Sequence, residues 1–165
     1  MTEAPSPTPG PTPWPEPTRP AAMERDDVEG AKAAAEYFLK LFSYVYATGD
    51  LSEWSEFTHS DCMFCTSVAE DVSELYAHGG YADGPAIEVL TMEAMPPDED
   101  YAYYSVAIEA SERTSRRFDR AGVVTEENET SDLEVDLVLD RVDGEWTIRG
   151  AVGTTPMGSD SDGRK

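Results

Sequence analysis

The chain is predicted to fold as an α+β domain, with helices first and an antiparallel sheet after them. Three observations predict it. Apolar residues recur at helical spacing through residues 27–78, the period changes to two after Pro85, and Asp143-Gly144 is a two-residue hairpin signal between alternating runs. Consecutive helices followed by a meander do not match a doubly wound fold, in which strands and helices alternate.

Val28, Ala31, Ala35, Phe38, Leu41, Phe42 and Val45 line one face of a helix over residues 27–47. Asp26 or Asp27 is placed to cap it, and Gly49 stands where the chain leaves it. A short helix over 51–57 is expected to start at Asp50, with Glu53 completing a capping-box pattern. Asp61 is expected to cap a third helix over 62–78, whose buried stripe is Cys65, Val68, Val72, Leu75 and Tyr76, and Gly79-Gly80 stops it.

The strands follow. Residues 86–94 form the first, with an ambiguous inward face because Ile87 and Val89 compete with Leu90 and Met92. Pro96-Pro97-Asp98 turns the chain into a long strand over 101–118, with Tyr104, Val106, Ile108 and Ala110 on one side. A turn at 119–122 leads to a strand over 123–140, where Leu133, Val135, Leu137 and Leu139 alternate with Glu134, Asp136, Val138 and Asp140. The last hairpin sets Leu139 opposite Ile148, Arg141 opposite Trp146 and Val138 opposite Arg149.

Domain organisation follows from proline. Residues 1–22 hold eight of the chain's twelve prolines and read as a disordered Pro/Thr-rich spacer. In polyproline II such a spacer reaches roughly 70 Å at about 3.1 Å per residue. Residues 23–154 form the α+β domain and 155–165 a disordered tail. The formal charge of −22 opposes binding to nucleic acid or to anionic headgroups, and reads first as a solubilising surface, then as a match for a cationic partner or a divalent cation. No apolar run reaches the roughly 20 residues of a membrane span, and residue 1 does not begin a signal peptide. With Met1 as the true start, the protein is cytoplasmic. A spacer that leads nowhere suggests instead that the start has been trimmed from an export anchor.

A long aromatic helix reading FLKLFSYVYATGDLSEW (38–54), further helix, and a sheet ending DRVDGEWTIRG (140–150) resemble the NTF2-like cone fold of the SnoaL and ketosteroid-isomerase type. More narrowly, YVYATGDLSEW followed by SDCMFC (60–65) resembles an uncharacterised actinobacterial, lipoprotein-type domain family of unknown function. That resemblance implies an extracytoplasmic domain on a lipid anchor absent from this chain, and no activity. A cone fold also implies a cavity between its long helix and the sheet. Tyr37, Phe38, Leu41, Tyr44 and Val45 from the helix, with Tyr104, Val106, Leu137 and Trp146 from the sheet, are its candidate lining, for a small apolar ligand. Isomerase and cyclase relatives pair an inward carboxylate with a tyrosine, and here only Glu88, Glu93 or Asp50 offers one, so no catalytic residue is assigned.

Cys62 and Cys65 are the only cysteines. A structural disulfide at the start of the third helix is the default for an exported protein. A redox dithiol is disfavoured by Asp61 beside Cys62 and by the missing preceding strand. A zinc site of His59, Cys62 and Cys65 lacks a fourth ligand, because His78 lies about four turns away. Arg113, Arg116, Arg117 and Arg120 cluster near a hairpin tip and are expected to pair across strands with Glu126, Glu127 and Glu129, or else to meet an anionic partner. The sequence thus favours a non-enzymatic envelope domain that binds a protein or a small apolar ligand, without cofactor, metal or nucleic acid. A small isomerase or cyclase and a cytosolic redox or zinc module are the alternatives. The oligomeric state and the identity of the partner are open.

Overall fold

In the computed structural model, which describes residues 14–83 and 86–154, three helices precede two antiparallel sheets. The helices are α1 (Val28–Thr48), α2 (Ser52–Phe57) and α3 (Met63–Ala77), after a 3-10 turn at Ala21–Glu24. The strands are β1 (Tyr81–Ala82), β2 (Ile87–Met95), β3 (Tyr104–Glu112), β4 (Ser115–Phe118), β5 (Val124–Asn128), β6 (Ser131–Val142) and β7 (Glu145–Thr154). One sheet has the order β2-β3-β6-β7, the other β1-β4-β5.

α1 begins as its residue types demand. Asp27 lies in extended backbone and its carboxylate accepts from the N–H of Gly30 at 3.0 Å, while Gly49 closes the helix in the left-handed region (φ 77°). The helix packs against β2 and β3, and α2 and α3 lie against β7. Val106, Ile108, Leu137, Leu139 and Ile148 come up from the sheet to meet Ala34, Phe38, Leu41 and Val45 in one continuous core.

Two local expectations are corrected at α2 and α3. Asp61 does not cap α3: Cys62 is the N-cap, and its sulfur takes the Cys65 N–H at 3.2 Å. Glu53 does not close a capping box, because its carboxylate is turned toward Arg19 and Tyr37. The helix start is held instead by Asp50, which accepts the Ser52 N–H at 3.1 Å.

The long strands also break. Both halves of the hairpin expected over 101–140 are interrupted at matching places, residues 113–114 and 129–130. Past that point β4 and β5 leave the main sheet and join β1. The Thr114 N–H donates to the Thr130 hydroxyl oxygen at 3.2 Å across the break. Alternation continues on both sides, so nothing in the pattern marks the change of sheet. In the last hairpin Leu139 faces Ile148 and Arg141 faces Trp146, but Val138 faces Gly150 and not Arg149. A bulge after Val138 makes Arg149 the extra residue, freeing its side chain for Asp61 and Asp140, each at 3.7 Å.

The spacer expectation over 1–22 falls partly outside the described residues. Within them, Trp14 packs against the core and Arg19 bonds to Glu53.

Gly30 offers a test of this packing. A Cβ there would sit 2.0 Å from the Arg25 carbonyl oxygen and 3.0 Å from the Trp146 ring. Helix propensity alone favours Gly30→Ala by about 1 kcal/mol. The contact overrides it, and the variant is expected to lose about 1–3 kcal/mol in urea unfolding. A stabilised variant would show that the N-terminal segment yields freely.

Candidate functional site

The residues proposed to line a cavity do come together, and they fill it. Tyr37, Phe38, Leu41, Tyr44, Tyr104, Val106, Leu137 and Trp146 are all buried in the one core, with Val45. Phe38 stacks on Trp54 at 5.0 Å between centroids, and Tyr104 meets Trp146 edge to face at 4.9 Å. The Trp146 indole N–H donates to the Met23 carbonyl at 2.8 Å, which closes the interior at the N-terminal segment.

The tyrosine hydroxyls point outward to carboxylates at the rim. Tyr37 donates to Glu53 at 2.7 Å, Tyr44 to Asp50 at 2.8 Å and Tyr104 to Asp26 at 3.0 Å. Burial, followed by the bond to the neighbouring carboxylate, raises the pKa of all three phenols, so they stay protonated donors. Asp50 moves the other way, held below the usual carboxylate range by the Ser52 hydroxyl and N–H and by Tyr44. Glu88 and Glu93 are exposed on the face of the sheet turned away from the core. None of the three carboxylates named for proton chemistry therefore faces a tyrosine across an open interior.

Sequence reasoning missed Glu112, although it continues the inward alternation of Tyr104, Val106, Ile108 and Ala110 by one step at the end of β3. Burial raises its pKa, and it lines a cleft of about 100 Å³ with Phe42, Tyr46, Ser115, Arg116 and Arg117. The neighbouring groups are already engaged. Tyr46 donates to Asp71 at 2.7 Å, and Arg117 Nη1 donates to the same carboxylate at 3.0 Å while lying over the Tyr46 ring. At roughly 30 Å³ per water the cleft has the volume of about three waters, far below a substrate pocket.

Of the arginine cluster, Arg116 and Arg117 form ion pairs, though not chiefly across strands. Register sets Arg116 opposite Glu127 and Arg117 opposite Glu126. The ion pairs run mainly to other elements, Arg116 to Asp83 at 3.2 Å and Arg117 to Asp71, with Glu126 only at 4.0 Å. β4 was expected in the main sheet, and its transfer to β1 is what brings α3 and Asp83 within reach.

Cys62 and Cys65 are joined as a disulfide, both buried, and the Trp54 indole donates to the Cys65 carbonyl at 3.0 Å. In this form neither sulfur is a thiolate for redox or zinc chemistry. His59 Nδ1 instead accepts the Asp61 N–H at 3.0 Å.

The larger concavities lie on the surface. One, of about 610 Å³, runs beside α3 between Trp54, Thr58, His59, Thr66, Ser73 and Ala77. Another, of about 720 Å³, separates the segment from Trp14 to Thr18 from Leu39, Lys40 and Ser43 of α1 and from Ile87 and Val89 of β2.

A model of a family of unknown function, DUF6318, matches residues 10–152. The chain belongs to that family. The DUF6318 match takes in residues 10–22, part of the proline-rich segment that reaches the core through Trp14. Solved structures similar to this DUF6318 domain show its fold. The intermembrane space region of the chloroplast protein ARC6 aligns with 12% identity and a TM-score of 0.60, covering 79% of this chain and 98% of that one. ActVI-ORFA from Streptomyces coelicolor aligns with 12% identity over 79% and 98%, TM-score 0.50. An uncharacterised cystatin-like protein from Caulobacter vibrioides aligns with 9% identity over 76% and 89%, TM-score 0.50. The DUF6318 domain is thus an α+β domain with NTF2-like and cystatin-like structural neighbours. No curated protein sequence matched.

The buried end of the Asp71 pair sets a pH dependence. Arg117, against the opposing effect of burial, and then Tyr46 hold Asp71 below its ordinary range, so the folded value lies under the unfolded one. The stabilisation is complete above about pH 4 and is lost as pH falls through the folded value. Asp71→Asn is expected to cost about 1 kcal/mol at pH 7, discounted for partial exposure. Urea unfolding at pH 7 and at decreasing acid pH checks it, because the difference from wild type should shrink as pH falls below the ordinary carboxylate range.

Proposed function

We propose that this DUF6318 domain is a non-enzymatic recognition module that works outside the cytoplasm and binds a protein partner at its surface. The observation that carries the reading is the filled interior. Trp146, Tyr104, Tyr37 and Phe38 occupy the space where cone-fold enzymes hold a substrate, and their hydroxyls and indole N–H are spent on Glu53, Asp26 and Met23. Catalysis of the isomerase or cyclase type needs a carboxylate and a tyrosine facing an open cavity. Glu112 beside Tyr46 is the nearest approach to that arrangement, and its cleft admits only a few small atoms.

The location is argued from chemistry. A buried disulfide persists in oxidising compartments and is rare in the cytosol. The Pro/Thr-rich segment before Trp14 suits a spacer from a lipid anchor, as the resemblance to lipoprotein-type domains implies. Small-molecule binding in the interior is the competing reading, which the buried side chains there oppose.

Calorimetry with indole tests it. The wild-type domain is expected to give no binding heat, whereas Trp146→Ala, which removes a whole buried ring, should open a dry cavity that takes indole up. Uptake by wild type, with quenching of Trp146, would overturn the reading. For the location, protein alkylated in cells before lysis should carry no label on Cys62 or Cys65, and two labelled thiols would place it in the cytosol.

A further inference from the structure

We infer that the free edge of β2 is a strand-docking site, and that its occupant is an extended protein segment in which basic and apolar residues alternate. The inference rests on the surface-recognition reading and names the partner's chemistry.

β2 ends the main sheet. Its nine residues pair with β3 on one side, and among the described residues no main-chain bond is made on the other. A row of unpaired N–H and C=O groups is the template on which another strand adds. The opposite edge differs, because Ile148 of β7 accepts the His59 N–H at 2.8 Å and bridges to Thr58. β2 also displays apolar side chains that nothing covers: Leu90 is 56% and Met95 62% exposed.

The two faces beside that edge have opposite character. On the helix side, Ile87 and Val89 open into the 720 Å³ groove, whose walls next to β2 are Leu39 and Trp14 and which also carries Glu16, Glu36 and Lys40, so the side chains lying directly over Ile87 and Val89 should be apolar. On the outer side, Glu88, Glu93, Glu109, Asp132, Glu134 and Asp136 are all exposed, and none forms an ion pair with another described residue. Glu109 and Glu134 stand directly opposite each other, a placement that costs stability in the isolated domain. No basic residue projects from that side of β2, β3 or β6. Successive residues of an added strand face opposite sides, so one alternating apolar and basic satisfies both.

A second copy fits poorly. Antiparallel pairing of two β2 edges about Leu90 and Thr91 brings Glu88 against Glu93 at both ends, and the bulge between Val89 and Thr91 interrupts a matching ladder. Acidic residues and bulge keep like edges apart while leaving a basic strand welcome.

The test uses a fluorescent probe of alternating valine and lysine, ten residues long, added to the full chain. Binding should slow hydrogen exchange across Ile87–Met95 and weaken with salt. N-methylation at every second residue should weaken binding about tenfold or more in one phase and little in the other, since only one set of amides faces the edge. The pair Glu88→Lys and Glu93→Lys should weaken the lysine probe and favour an alternating valine and glutamate probe. Binding indifferent to N-methylation, or with no protection in β2, would overturn the inference and leave charge attraction alone. A concentration-dependent dimer protected at β2 would overturn it in favour of self-pairing. Neither failure touches the filled interior, which the indole measurement reads separately.

Discussion

The indole of Trp146 sits where the N-terminal segment, the first turn of α1 and the sheet meet, and the remaining structure is arranged around it. Its N–H holds the Met23 carbonyl, its ring edge leaves no room for a side chain on Gly30, and its face receives Tyr104. Arg141 lies over the same ring at 5.6 Å while donating to the Glu24 carbonyl. One side chain from the last hairpin thereby fixes how the chain enters the domain. It also decides what the domain can hold, because a helix drawn this close to the sheet leaves an interior packed with rings.

That constraint moves the polar chemistry outward. Three phenols with raised pKa values and buried rings reach rim carboxylates, and Glu53 alone receives Tyr37 and Arg19, the latter lying 5.3 Å over the Tyr37 ring. Such clamps order the surface and hold the proline-rich entry segment down, and they turn these phenols and carboxylates away from the interior. On the proposed reading specificity comes from surfaces, and the outer face of the sheet is an acidic one.

Helical and strand periodicity made the element order legible, because each apolar stripe reports which way a side chain faces. It does not report how much space lies in front of that side chain. Tyr37, Phe38, Tyr104 and Trp146 were therefore readable as inward, while an empty and a filled interior gave the same pattern. Features decided by tertiary contact were hidden for the same reason. The break at residues 113–114 preserves alternation, the Arg149 bulge shifts register beside Gly150, and Cys62 caps α3 only because its sulfur lies under the Cys65 N–H. Glu53 matched a capping box by spacing, and lost that role to Arg19, 34 residues away.

The most direct test of a filled interior is a crystal of the wild-type domain pressurised with xenon. The account predicts no xenon between α1 and the sheet. A xenon atom bound among Leu41, Val106 and Leu137 would contradict it, and would return the interior to consideration as a ligand site.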